Sequence, residues 1–488
     1  MKKSISILGS GFSSLSAACY LAKMGYEVNV FEKNAEFGGR ARQFKENGFT
    51  FDMGPSWYWM PDVFEKFFND FGKKSTDFYN LKKLNPAYHV YFGENDFIAI
   101  PDELEKICKV FEKEEKGSSV ELLKFIKMAK DNYKIAVKDM LYKMPGISPL
   151  ELITLDTTKR VGYFFTNIKK QVHKRFKNPK LRSILEFPVL FLGAESSNTP
   201  AFYNFMNYAD FGLGTWQPNN GFYDVVKAMI KIGESLGVRY HNNSNVTQII
   251  TKKKSAVGLM INDKIVNSQY ILSGADYNHT ETLLPKSQRQ YSKKYWSSKI
   301  FAPSSLLFYL GFDKKLQNLA HHNLFFDTDF DLHSKEIYKD PKWPSKPLFY
   351  ANFTSMTNSH TAPEGCENGF ILVPIAPGLE DTEDLREKYY NIIINRIERI
   401  TKQKIKKNII YKKSFCVNDF ISEYNSYKGN AYGLANTLLQ TSFLRPKLKS
   451  SKVKNLFFSG QLSVPGPGVP PSIVSGKLVA ELIEKTNP

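Results

Sequence analysis

The sequence predicts an α/β protein whose parallel sheet is assembled from both ends of the chain. Three observations predict it. Residues 4–32 read as strand, glycine turn, helix, strand. A second strand-and-glycine segment stands near the C-terminus: Asn455-Leu456-Phe457-Phe458-Ser459-Gly460-Gln461, then Pro465-Gly466-Pro467-Gly468-Val469-Pro470. Between them, a stretch of helical periodicity is followed by one of aromatic, strand-like runs. At 488 residues the chain can bury a large core and form more than one domain.

The opening residues Ser4–Leu8 are mostly apolar, as in a buried parallel strand. Gly9 allows a tight turn, and Gly11 lets the backbone approach a pyrophosphate. Residues 13–24 read as a helix with Leu15, Ala18, Cys19 and Ala22 at helical spacing, its N-terminal amides facing the phosphates. A second strand, 27–32, ends on Glu32, at the spacing where a carboxylate binds ribose hydroxyls. An acid there, with no Arg immediately beside it, disfavours a 2′-phosphate. This is a Rossmann-type unit, with Ser14 at the third glycine position of G-x-G-x-x-G. Serine is small enough for the close helix–strand packing required there. Gly38-Gly39-Arg40 strengthens the reading: paired glycines pass close to a pyrophosphate, and Arg pairs with its oxygens. A cofactor that needs both chain ends is held permanently, which favours FAD over a dissociating nicotinamide.

Further segments carry a resemblance. They are Phe49-Thr50-Phe51-Asp52-Met53-Gly54-Pro55-Ser56-Trp57-Tyr58-Trp59-Met60-Pro61, Gly214-Thr215-Trp216-Gln217-Pro218 with Gly221, Leu272-Ser273-Gly274-Ala275-Asp276-Tyr277 and Gly429-Asn430-Ala431-Tyr432-Gly433. With the two glycine-rich ends, they resemble the bacterial-type phytoene desaturases over essentially the whole chain. These are FAD-containing carotenoid oxidoreductases of the amine-oxidase-like flavoproteins. Asn220 stands where the family has a glycine, and Gln461 where it often has an acid.

The resemblance implies that Gly9, Gly11, Ser14, Glu32, Lys33, Gly38, Gly39 and Arg40 bind FAD. It places Gly54, Pro55 and Ser56 near the isoalloxazine, and Val246 near the adenine through its backbone. Gly460, Gln461, Gly468, Val469 and Pro470 would surround the pyrophosphate and ring, with a helix from about residue 472 aimed at the flavin. Trp57, Tyr58 and Trp59 would shape the reactive end of a substrate channel. The implied reaction is stepwise dehydrogenation of phytoene towards lycopene, with flavin N5 as hydride acceptor. Asp139 and Glu151 are candidate proton acceptors, though no spacing identifies the base. Alternatives on the same scaffold are desaturation of a hydroxylated carotenoid, carotenoid isomerisation and retinoid saturation. A membrane-associated binding protein that has lost its flavin is a further alternative, suggested by Ser14, Asn220 and Gln461. Oxygen or a quinone is the expected electron acceptor, because one dinucleotide site is visible.

The flavin domain is expected to combine residues 1–75, 216–290 and 430–488. Residues 291–429 would form a sheet-based substrate domain, with strands such as Ser304–Phe312 and 370–375 and a helix at 382–400. Residues 76–215 would form a helical, membrane-associated lid. Its 121–143 helix has an apolar face (Leu122, Phe125, Ile126, Ala129, Tyr133) and a lysine face (Lys124, Lys127, Lys130, Lys134). Such a helix either packs on a core with its lysines in water or lies in a membrane interface. The balance of 67 basic and 48 acidic residues, +19, suits anionic lipid headgroups. Zinc spacing, RNA-binding signatures and a basic helix-turn-helix are absent, so nucleic acid is not an expected partner. No metal is expected, and the four scattered cysteines suggest no disulfide framework. With no apolar run near the roughly 20 residues of a transmembrane helix and no signal peptide, the expected place is the cytoplasmic face of the membrane.

Overall fold

Five parallel strands form the frame that both chain ends build. The computed structural model describes residues 3–148, 151, 166–193 and 195–486. The sheet order is Leu456–Phe458, Tyr270–Ser273, Ser4–Leu8, Glu27–Phe31, Arg239–His241. Ser4–Leu8 lies central with both faces covered: Ile5 and Ile7 are fully buried on one, Ser6 and Leu8 buried on the other. Helix Phe12–Lys23 follows it and packs on the C-terminal helix Val469–Lys485. The contact is close: a Cβ on Gly476 would sit 2.4 Å from the Ser13 carbonyl oxygen, and Ser16 Oγ donates to the Ile473 carbonyl at 2.7 Å. The two glycine-rich ends therefore form one body.

A second, seven-stranded sheet lies beside it. Its order is Ile409–Phe415, Ser304–Phe312, Glu367–Ile375, Phe349–Asn352, His322–Phe325, Tyr88–Gly93, Asp96–Ile100. Two of these strands come from the segment expected to be a helical lid. Tyr88–Gly93 pairs in parallel with His322–Phe325 and extends the sheet by a hairpin. The sheet has two apolar faces. Leu306, Phe308 and Leu310 pack with Tyr389, Ile393 and Ile397 of helix Glu383–Thr401. The alternate residues, among them Ser305, Leu307, Leu372 and Pro374, line a cavity.

The rest of 76–215 is largely helical. Its long helix runs Ser118–Ile135 and passes into a π-turn, Ala136–Leu141. Leu122, Phe125, Ile126, Ala129 and Tyr133 are buried in the main core. The apolar face is thus used inside the protein, and Lys124 faces solvent.

Candidate functional site

One cavity of about 530 Å³ joins the two sheets. Its first end is built mainly from backbone. Gly9, with φ +81°, turns the chain out of the central strand. Gly11 is the N-cap of the following helix and supplies no side-chain cap, so the first-turn amides have no partner from it. A Cβ on Gly11 would meet nothing within 4 Å, so that side of the turn is open. Across the gap lies Gly39, with φ +56°, whose Cβ would come within 3.2 Å of Gly11 Cα. The C-terminal helix also points its start here, from Gly468. Two uncapped helix N-termini facing one cavity make a place for an anion.

Side chains complete this end. Glu32 is 5% exposed; its Oε2 accepts from the Ser10 amide at 3.0 Å and the Ser10 hydroxyl at 2.7 Å, and its Oε1 from the Asn34 amide at 3.1 Å. Arg40 lies over the Tyr424 ring at 5.0 Å and donates to Ser426 Oγ and the Asn430 carbonyl, each at 3.1 Å. It forms no ion pair among the described residues, its Nε is buried without a partner, and burial lowers its pKa. A buried guanidinium without a carboxylate fits an anionic pyrophosphate. Lys33, Gly38 and Val246 also line this part, and Gly54, Pro55, Ser56, Gly460, Gln461, Val469 and Pro470 line its continuation. Ser14 does not: it is fully buried, and a Cβ on Gly274 would come within 2.1 Å of its Oγ. Its position serves packing. The residues present fit a dinucleotide with an acid at its ribose and a cation at its pyrophosphate.

The second end is apolar and aromatic. Trp57 stacks on His322, ring centres 4.1 Å apart and planes 10° from parallel. Trp57 and Trp59 line the cavity with Phe187, Phe326 and Phe370. Tyr58 does not, which corrects the expectation that it shapes the channel. In an extended segment alternate side chains point opposite ways. Tyr58 is fully buried, stacked on Phe64 at 4.1 Å and bonded to Tyr79 Oη at 2.8 Å.

Of the two candidate bases, Glu151 is not supported. The carboxylate of Glu151 accepts three backbone N–H groups, from Gly146 at 2.9 Å, Ile147 at 2.8 Å and Ser148 at 3.1 Å, so it closes a turn. It does not line the cavity. Asp139 falls in the Ala136–Leu141 turn, and its side chain lies outside the described residues.

The sequence reading missed the wall contributed by the seven-stranded sheet and by helix Phe330–Tyr338. Phe330, His333, Ser334, Ile337 and Tyr338 line the cavity at helical spacing. Two hydroxyls on this wall, Ser305 Oγ and Tyr338 Oη, have no partner among the described residues. The alternation within Ser304–Phe312 was a usable signal for which residues share the Ser305 face.

Residues 12–484 match the family model of flavin containing amine oxidoreductases. The carotenoid 3,4-desaturase of Haloarcula japonica is 38% identical over 484 residues, 98% of this chain and 97% of that protein. A 4,4′-diapophytoene desaturase of Staphylococcus haemolyticus is 31% identical over 98% of both chains. The zeta-carotene-forming phytoene desaturase of Myxococcus xanthus is 28% identical over 98% of this chain and 93% of its own. An oxidoreductase from Methanosarcina mazei shares the fold, with TM-score 0.63 at 17% identity over 98% of this chain and 100% of its own. So does putrescine oxidase, with TM-score 0.59 at 13% identity over 99% of both chains. The cofactor is FAD. The chain belongs to the flavin-containing amine oxidoreductases and, within them, to the carotenoid desaturases.

Proposed function

We propose that this enzyme desaturates phytoene stepwise towards lycopene. The observation that carries the reading is the continuity of one cavity from the dinucleotide cradle into an aromatic channel. FAD, when bound, supplies the acceptor for the hydride removed from a saturated carbon. The chain supplies the rest: Trp57, Trp59 and Phe187 give a polyene flat surfaces to lie on, and the apolar walls exclude water. The purified, FAD-loaded protein should convert phytoene in liposomes to products absorbing at successively longer wavelength, separable by chromatography. Unchanged phytoene despite bound FAD overturns this substrate.

A specific observation favours a second reading, a carotenoid that already bears a hydroxyl. Ser305 Oγ and Tyr338 Oη are buried, without a partner among the described residues, and on cavity-lining residues. A plain hydrocarbon leaves both unpaired, whereas a substrate hydroxyl could satisfy them. On this reading Ser305→Ala with Tyr338→Phe removes roughly 10-fold or more of the kcat/KM preference for the hydroxylated substrate over the hydrocarbon. A preference unchanged in the double variant excludes it.

Our reading also places the enzyme on the cytoplasmic face of the membrane, bound to anionic lipids. Ile147, Ile300, Leu439 and Leu444 are exposed around Gly146 and the cavity-lining Thr441 and Ser442. This supports the cavity edge, rather than the buried face of the long helix, as the lipid contact. Oxygen or a quinone would reoxidise the flavin, since the described residues form one dinucleotide cradle in the cavity.

A further inference from the structure

Desaturation releases a hydride from one carbon and a proton from its neighbour. The cavity must contain something to take that proton. Its ionisable groups are mostly committed elsewhere. Glu32 is held by Ser10 and Asn34 at the cradle. Asp276 accepts the His279 and Tyr427 amides. His333 uses both ring nitrogens, one with the Pro374 carbonyl and one with the Leu348 amide.

Tyr350 is different. It lies on strand Phe349–Asn352, where Phe349 and Ala351 pack into the second core while Tyr350 lines the cavity. Its hydroxyl has one proton and two neighbours able to accept it: Ser56 Oγ at 2.9 Å and His322 Nδ1 at 2.7 Å. His322 sits directly opposite Asn352 in the sheet register. Asn352 Nδ2 donates to the His321 carbonyl at 3.1 Å and also faces His322 Nδ1 at 3.2 Å, while Asn352 Oδ1 accepts from Thr354 Oγ1 at 2.7 Å. With an N–H donor facing it, Nδ1 is the lone-pair nitrogen. His322 is thus a fully buried, neutral imidazole, one hydroxyl away from the cavity. Its Nε2 has no partner among the described residues. Burial and the neighbouring His321 hold its pKa well below the ordinary histidine range. The indole of Trp57 covers its face, the geometry in which an aromatic ring stabilises a cation.

We propose that Tyr350 is the catalytic proton acceptor of the desaturation, with His322 as the positioning residue that takes the proton onward. In the step, a substrate C–H bond breaks and its electron pair becomes the π bond of the new double bond. The proton goes to Tyr350 Oη, whose own proton passes to His322 Nδ1. The hydride leaves the adjacent carbon, with its electron pair, for the FAD that the activity already uses. The imidazolium formed lies beneath Trp57, where burial disfavours it; once the product has left, it gives its proton back to Tyr350, which releases its own to water entering the emptied cavity. Ser56 holds the tyrosine oxygen in place between turnovers.

The inference rests on the desaturase reading, and the test separates the two. Wild type, Tyr350→Phe and His322→Gln are purified with FAD, whose absorbance spectrum reports an intact fold. Each is mixed anaerobically with phytoene, and separately with a hydroxylated acyclic carotene, in H2O and in D2O. Flavin bleaching gives the rate, and quenching of tryptophan fluorescence gives substrate binding. The expected result is a slower wild-type reaction in D2O and a rate for Tyr350→Phe lower by about 100-fold or more, with binding preserved. His322→Gln should also slow the reaction and lose the D2O effect. Bleaching by Tyr350→Phe at the wild-type rate overturns the inference alone, as does an undiminished D2O effect in His322→Gln. A purely structural Tyr350 would lower FAD content or substrate binding and leave the D2O effect in place. If wild type is bleached by neither carotenoid, the desaturase reading falls and the inference falls with it.

Discussion

The two ends of the cavity recognise their occupants by different means. At the cofactor end the main chain does most of the work, through tight turns, amides and helix starts around Gly11, Gly39 and Gly468. At the substrate end side chains do it, through stacked rings and a few hydroxyls on elements far apart in sequence. Backbone recognition tolerates no added volume at its points of close approach. Side-chain recognition can be edited one group at a time with the fold kept. The difference teaches where a substitution should abolish cofactor binding and where it should only retune the enzyme.

The largest effect that would sharpen this contrast is expected at Gly39. A β-branched residue at φ +56° is strained, and its Cβ would press on Gly11 Cα at 3.2 Å. Gly39→Val should yield protein that retains its far-ultraviolet circular dichroism but carries almost no FAD. A fully loaded, yellow Gly39→Val would break the comparison, because the cradle would then not depend on its main-chain approach. A smaller effect is expected at Glu32, the charged side chain of that end. Glu32→Ala removes the acceptor offered to the ribose and frees Ser10. FAD affinity should fall by about 2–3 kcal/mol, roughly 30- to 150-fold, measured by equilibrium dialysis. A loss as complete as that in Gly39→Val would mean that side chain and backbone contribute alike.

This contrast also explains what could be read from the chain before its structure. The cofactor end is encoded locally. Strand, turn and helix lie within residues 4–32, and the special backbone positions demand glycine, so Gly9, Gly11, Glu32, Gly39 and Arg40 all fall on one wall. Trp57 and Trp59 were legible because they follow the same motif, whereas Tyr58 between them turns the other way, as alternate side chains of an extended segment do. The substrate end has no local code. Tyr350 meets Ser56 across 294 positions, and His322 of the seven-stranded sheet meets Trp57 of the loop that follows Phe49–Asp52. Tyr88–Gly93 joins the large sheet by parallel pairing with His322–Phe325, which no short-range pattern announces. Glu151 read as a candidate proton acceptor in sequence; the turn whose amides it holds was not visible there.

The smallest expected effect lies behind the substrate wall, at Asp210. This carboxyl is 3% exposed, accepts the Tyr88 hydroxyl at 2.8 Å and is bonded to Thr215, whose Oγ1 accepts from Trp59 Nε1 at 2.8 Å. Burial pushes its pKa up from 3.8 to about 8, so the folded protein keeps the carboxyl neutral at pH 7. The unfolded chain releases that proton near 3.8, so between 3.8 and about 8 the unfolded state binds fewer protons than the folded one. The stability contributed by this group is therefore complete below 3.8, falls as pH rises, and is gone above about 8. Asp210→Asn keeps an acceptor for Tyr88 and removes the titration. The melting temperature of the FAD-loaded wild type should decline more steeply from about pH 5 to about pH 8 than that of Asp210→Asn. Parallel curves would show that Asp210 is ionised in the folded state. The substrate wall would then be backed by a buried charge, as the cofactor end is by Glu32 and Arg40, and the two ends would differ less than their rings and glycines indicate.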